Sequence, residues 1–240
     1  MTGTKVVKLK LEDNGQADKL PKLKDPLTKE IAKIFEETGY WQLGASGRDA
    51  PEFYYLVVQE KTEKYDVSPE ELQLILADIE GGDRSRAWFD RCAGIFLTAL
   101  VNNSSRDEFR ITPQIKLDGI GYRLQKGKKI TVDGDVGGWV GQYMEGGTLI
   151  VNGNADDALG EGMEDGRVIV TGSAGNNVGF HMADGYIEIG KETDVFTGDR
   201  AEGGKILVKG KVGQCIPRYE GGELWERDRK ILPMKKSRLK

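Results

Sequence analysis

Ile130 to Thr148 reads ITVDGDVGGWVGQYMEGGT, and Leu149 to Arg167 reads LIVNGNADDALGEGMEDGR. Val168 to Tyr186 reads VIVTGSAGNNVGFHMADGY, Ile187 to Lys205 reads IEIGKETDVFTGDRAEGGK, and Ile206 to Leu224 reads ILVKGKVGQCIPRYEGGEL. These five 19-residue blocks align without a gap. The first and third positions are aliphatic throughout: Ile130/Val132, Leu149/Val151, Val168/Val170, Ile187/Ile189 and Ile206/Val208. Gly occupies the twelfth position in four blocks (Gly141, Gly160, Gly179, Gly198) and the fifth in four (Gly134, Gly153, Gly172, Gly210). Met144, Met163 and Met182 share the fifteenth.

A period of this kind marks a repeat architecture, and it decides the fold before any single element does. Alternating apolar positions specify a short strand with one buried face. Strands this short are stable only when stacked, each hydrogen-bonding to the next turn at about 4.8 Å. Gly at fixed offsets supplies corners that need positive φ. A helical solenoid would need longer repeats and few glycines, yet 22 of the 33 glycines fall between Ile130 and Leu224. The expected fold is mainly β: a right-handed parallel β-helix of 19-residue coils, preceded by a small α/β or α module. In the fifth block Pro217 replaces the twelfth-position Gly and is read as a terminal block to further strand addition.

Outward from the repeat, the chain divides into three regions: an N-terminal module over residues 1–110, the β-helix over 111–224 and a basic tail over 225–240. Ile111 to Lys129 is read as a degenerate coil closing the upstream end, with the boundary between Asn102 and Lys129. In the module, Asp25-Pro26 opens a helix that stops at Gly39. Phe53 to Val58 (FYYLVV) reads as a buried strand. Ser68 and Glu71 form a capping box before a second helix, which Gly81-Gly82 ends, and Asp83 is read as the cap of a third.

Chemistry is sparse. His181 is the single histidine, so a hydrolase reading depends on it. Its equivalents in the other blocks are Tyr143, Gly162, Arg200 and Tyr219, which share no chemistry and make it a coil residue. Cys92 and Cys215 lack a partner at ligand spacing, so neither a zinc site nor a disulfide framework is indicated. Asp156-Asp157 and Glu164-Asp165 are read as solvated corners, and Gly44-Ala-Ser-Gly47-Arg48 as a plain loop that matches no phosphate-binding pattern. No catalytic, cofactor or metal residue is assigned. The net charge of −4 argues against nucleic-acid binding, and the lack of a signal peptide or an apolar span argues for a cytoplasmic protein without membrane contact. The segment from Ile130 to Leu224 holds 16 acidic and 7 basic residues, a balance of −9, which leaves the remainder at +5.

If the first and third block positions point inward, the second points out, placing Thr131, Ile150, Ile169, Glu188 and Leu207 in one row. Ile150, Ile169 and Leu207 then form an apolar stripe, the mark of a contact, either with a partner or with the N-terminal module. The repeat aromatics Trp139, Tyr143, Phe180, Tyr186, Phe196 and Tyr219 do not fall in register, so an aromatic ligand ladder is not expected.

Gly141-Gln-Tyr-Met144-Glu-Gly-Gly147-Thr-Leu-Ile-Val151-Asn-Gly153 resembles the GXGXG-type β-helix family, and Gly179 to Ile189 repeats the pattern. That family includes the C-terminal domain of the glutamate synthase large subunit and the β-helical subunit of formylmethanofuran dehydrogenase, the latter closer in its Met and double-Gly spacing. The resemblance covers about 95 residues and implies a structural β-helix beside subunits that hold the active sites. The expected function is a non-catalytic assembly subunit of an oxidoreductase or amidotransferase complex, its partners being other enzyme subunits or a second copy. The alternatives are a homo-oligomeric ligand-binding module and a stand-alone hydrolase using His181.

Overall fold

The computed structural model describes residues 26–39, 50–86, 88–213 and 221–231. Among the described residues four helices precede eight strands: α1 Pro26–Thr38, α2 Ala50–Thr62, α3 Pro69–Glu80 and α4 Phe89–Asn103. The strands are β1 Glu108–Ile111, β2 Lys129–Asp133, β3 Glu145–Asn152, β4 Asp165–Val170, β5 Tyr186–Ile189, β6 Lys205–Val208, β7 Glu223–Glu226 and β8 Arg229–Ile231. They form one sheet in sequence order, parallel from β1 to β7, with β8 turned back antiparallel on β7. Successive parallel strands belong to successive turns, so the chain is a β-solenoid.

The register confirms the block alignment residue by residue. Ile130 pairs with Leu149, Leu149 with Val168, Val168 with Ile187 and Ile187 with Ile206. A second ladder, of single bridges, runs through Val136, Ala155, Ala174, Thr193 and Val212. The core contains more than the first and third positions. The eleventh position (Val140, Leu159, Val178, Thr197) and the fifteenth (Met144, Met163, Met182, Ala201) are also sealed from solvent. The seventh position, the row of the second ladder, is buried as well, so each turn closes around five inward rows. The two ends depart from the 19-residue period. Phe109 pairs with Ile130 at an offset of 21, and Ile206 with Leu224 at 18. The upstream coil thus starts on β1 at Glu108, three residues before the expected start. Pro217 lies outside the described residues.

Glycine serves two separate purposes here. The twelfth-position glycines all have φ between +66° and +72°, as a corner requires. Gly153, Gly172 and Gly210, at the fifth position, do not. A β-carbon there would lie 2.2–2.3 Å from an oxygen of the preceding coil, in backbone contact at Gly153 and Gly210. These glycines permit close stacking. Conversely, the tenth position is left-handed with Trp139, Ala158, Asn177 and Phe196 in place, and the fourteenth with Tyr143, His181 and Arg200.

The corners after the strands are tied by side-chain ladders. Asp135 Oδ1 accepts from the Asn154 amide and backbone N–H, and Asn154 Oδ1 accepts from Ser173 N–H. Asp157, Asn176 and Val195 repeat the scheme. An Asp suits the first rung, where only acceptance is needed, and an Asn suits the middle rung, which must do both.

The helices sit on the upstream end of the solenoid. α4 is buried almost throughout and lies against the first coil. A β-carbon on Gly94 would be 2.1 Å from Asp118 O, so the helix backbone touches the coil directly. One and two turns on, Thr98 Oγ1 accepts from Gly121 N–H (2.8 Å), and the Asn102 amide donates to Arg123 O (2.9 Å) and accepts from Gln125 N–H. From α3 the Gln73 amide pairs with the backbone N–H and C=O of Thr112, continuing the edge of β1 with a side chain. Arg123 joins the units further, donating to Glu52 of α2 (2.7 Å) and Glu145 of β3 (2.5 Å).

Two expectations for the module are corrected. Phe53 to Val58 is not a strand but part of α2. Tyr54, Tyr55, Val58 and Thr62 are buried while Phe53 and Leu56 are half exposed, a helical spacing that an unbroken apolar run conceals. Asp83 does not cap the last helix. It folds its own turn by accepting from Ser85 N–H and Oγ, and α4 starts five residues later with Trp88 at φ 63°. The Ser68–Glu71 capping box forms in both directions. Asp25, the loop at Gly44 to Arg48 and the tail beyond Ile231 lie outside the described residues.

Candidate docking face

The outward side of the parallel sheet is the surface that the repeat makes most regular. Burial alternates strictly along β2, β5 and β6, with the first-row aliphatics sealed and their neighbours partly exposed. The outward centre row runs Arg110, Thr131, Ile150, Ile169, Glu188, Leu207 and Trp225, in register from β1 to β7. Ile150, Ile169 and Leu207 are all partly exposed. Among the described residues the helices contact the sheet at β1 and at the coil below it, not along this row.

The charges on this face are paired within it. Arg110 holds Asp133 through two nitrogens (2.5 and 2.7 Å), and Asn152 donates to the same carboxylate. These bonds pull the Asp133 carboxyl below its usual range, that from Asn152 most. Glu188 accepts from Lys209 (2.5 Å) and Tyr186 (2.8 Å), with Arg167 3.7 Å away. The Lys209 bond is the main reason its carboxyl is held low, while burial pushes the Tyr186 hydroxyl up to about 12. Trp225 Nε1 and Lys230 both donate to Glu223. Cations also cover the rings, Arg167 over Tyr186 and Lys205 over Trp225, each at 4.7 Å. The face is therefore an aliphatic stripe flanked by charges that are mostly paired on the face itself, so a partner covering it meets few unpaired ions, while covering the pairs still costs their hydration.

Other candidates are placed elsewhere. His181 is exposed on a corner, with Arg200 Nη1 3.4 Å from its Nε2 and the Phe180 ring against it. It has a guanidinium where a general base would need an orienting carboxylate. Cys92 is fully buried in α4, and Cys215 lies outside the described residues. Asp156, Asp157, Glu192 and Asp194 line an open groove of about 600 Å³ at the corners, with Lys116 Nζ on Asp156 at 2.8 Å. Among the described residues no acidic or histidine cluster has metal-site geometry. Trp139 and Phe196 share the tenth position of the gapless alignment and one left-handed row, so the expectation that the repeat aromatics fall out of register is corrected for this pair. Sequence reading missed Trp88, whose half-exposed ring stands by Trp139 with Arg91 4.4 Å above the latter.

No family model, curated protein or solved structure matches the chain. Among the described residues no helix is long and apolar enough to cross a membrane.

Proposed function

We propose that the chain is a non-catalytic assembly module of an enzyme complex, held there through its sheet face by another subunit or by a second copy. The observation that carries this is the in-register row Ile150, Ile169 and Leu207, aliphatic and partly exposed, with most of the flanking charges paired on the same face. A rigid ladder of this kind presents a flat surface whose contact groups need no rearrangement on binding. The resemblance to GXGXG-type β-helices supports a role beside oxidoreductase or amidotransferase subunits. The test replaces Ile169 by Asp in the full chain and measures the size of its native complex in extracts of the source cells. A smaller complex, with the circular dichroism of the purified variant unchanged, supports the docking face. An unchanged complex refutes it. The hydrolase alternative predicts that His181→Ala removes an activity; the docking reading expects that variant to assemble like the parent.

A further inference from the structure

The pattern of the face also specifies an occupant. We propose that it binds a second copy of this chain, antiparallel, about a two-fold axis between β3 and β4, an inference that rests on the docking reading above. Three outward columns define the face. The first holds Glu108, Lys129, Thr148, Arg167, Tyr186 and Lys205; the second is the centre row; the third holds Thr112, Asp133, Asn152, Thr171, Gly190 and Lys209. Rotating a copy by half a turn about an axis in the face, parallel to the strands, sets β1 on β6, β2 on β5 and β3 on β4.

The apposed residues then match at the centre and in both outer columns, while at the rim of the centre row Arg110, tied to Asp133, lies over Leu207. At the centre Ile150 meets Ile169, twice by symmetry. Beside them Asn152 meets Thr171, and Thr148 meets Arg167. One strand out, the Thr131 hydroxyl meets the Glu188 carboxylate, and Lys129 meets the Tyr186 ring. At the rim Glu108 meets Lys205. No like charges meet in any column. Other registers fail this test. Moving the axis onto β4 sets Lys129 on Lys205, Arg167 on itself and Ile150 on Glu188. Moving it beyond β4 puts the Ile169 side chain on the Glu188 carboxylate at the centre. A parallel arrangement sets Glu188 and Arg110 on themselves and Lys205 on Lys209. Like charges directly opposed select against a pairing as strongly as attraction selects for one. A self-complementary patch of this kind is what a two-fold interface requires.

The small area of the face fits a weak association. Six strands and five residues give about 29 Å by about 16 Å. Two such faces cover roughly 900 Å², at the weak end of specific association. The dimer should form at protein concentrations on the order of 10 μM, not nanomolar.

Sedimentation equilibrium of the purified full chain tests this. The parent should shift from monomer to dimer with concentration, and Ile150→Asp should weaken association by roughly tenfold or more at unchanged circular dichroism. The decisive variants are Glu108→Lys, Lys205→Glu and the two together. Each alone places like charges at both rims and should dissociate the dimer. Combined in one chain they restore opposite charges at both rims and should recover it. A chain that stays monomeric well above that concentration, or single swaps that leave the dimer intact, or a double swap that fails to recover it, overturns the inference. A monomeric chain whose native complex is still lost on Ile169→Asp would overturn the dimer and leave the docking reading standing.

Discussion

Two glycine-to-alanine substitutions separate the two purposes that glycine serves in the coil. At Gly172 the backbone is ordinary, but an added methyl would lie 2.3 Å from Asn154 Oδ1 and 2.5 Å from Gly153 O. Both are about 1 Å inside a normal carbon–oxygen contact. The neighbouring coil is held at that point by Gly172 N–H to Gly153 O (2.8 Å), Thr171 N–H to Val151 O (2.9 Å) and Ser173 N–H to Asn154 Oδ1 (2.9 Å). Opening the gap by 1 Å forfeits two or three of these bonds, each worth about 1 kcal/mol net. Lower chain entropy in the unfolded state returns about 0.5 kcal/mol. Gly172→Ala should therefore cost roughly 2–3 kcal/mol. At Gly162 the reverse holds. Its φ of +62° is strained for alanine by about 1 kcal/mol, yet Tyr143, His181 and Arg200 accept that conformation in the equivalent turns. Only the half-exposed Tyr143 ring, 2.3 Å from the added methyl, stands in the way, and it swings into solvent. Gly162→Ala should cost about 1 kcal/mol or less. Urea unfolding followed by far-ultraviolet circular dichroism measures both. Equal midpoints for the two variants, or a greater loss at Gly162, would refute the close-stacking account.

Two further outcomes follow from side-chain geometry. Asn176→Asp sets the introduced carboxylate 3.1 Å from Asp157 Oδ1 and removes the amide donor, so it should lose roughly 1–2 kcal/mol at neutral pH and regain most of it near pH 3, as read by urea midpoints at the two pH values. Asp66 accepts from Ser105 N–H, then the Ser105 and Ser104 hydroxyls, which hold its carboxyl at about 2 against an ordinary 3.8. Its folded value is depressed, so its contribution is whole above about pH 4 and disappears as pH falls towards 2; the gap in melting temperature between the parent and Asp66→Asn should close over that window, and a constant gap would refute the assignment.

What the sequence made legible was whatever the period repeats. Ile130, Leu149, Val168, Ile187 and Ile206 recur with one spacing, so the strands, their parallel order and their register are readable from the order of residues alone. The Ser68–Glu71 box is equally readable, because its chemistry is local. The failures share a physical cause, which is that the deciding contact is distant in sequence. Tyr55 faces α4, its hydroxyl accepting from the Asn102 amide (3.0 Å), and nothing within FYYLVV reveals that partner. Gly94, Thr98 and Asn102 look unremarkable until the first coil is laid across them. Trp139 and Phe196 occupy a left-handed position that residue type argues against, and only inter-coil bonds such as Trp139 N–H to Asp157 O (2.9 Å) hold them there. On the candidate face, the row of Ile150, Ile169 and Leu207 was legible from alternation alone. The ties of Glu188 to Lys209 and Arg167 were not, since they cross from one turn to the next.

The way the solenoid ends bears on how it associates. A stacked sheet has two exposed edges, each a template for another chain. Here the first edge is met by the Gln73 amide, which takes both backbone groups of Thr112, and by Glu80, whose carboxylate accepts from Gln114 N–H at 2.6 Å. The last parallel edge, β7, is covered by β8 running the opposite way. β8 is only three residues long and carries the exposed Arg229, while Lys230 turns back to Glu223 of β7. A further copy adding there in the same way would bring like charges together. End-to-end growth is thus opposed at both ends by different devices, one a side-chain amide and one a short charged strand. The side of the solenoid, where the repeat leaves its aliphatic row outward, is the face that the docking proposal uses.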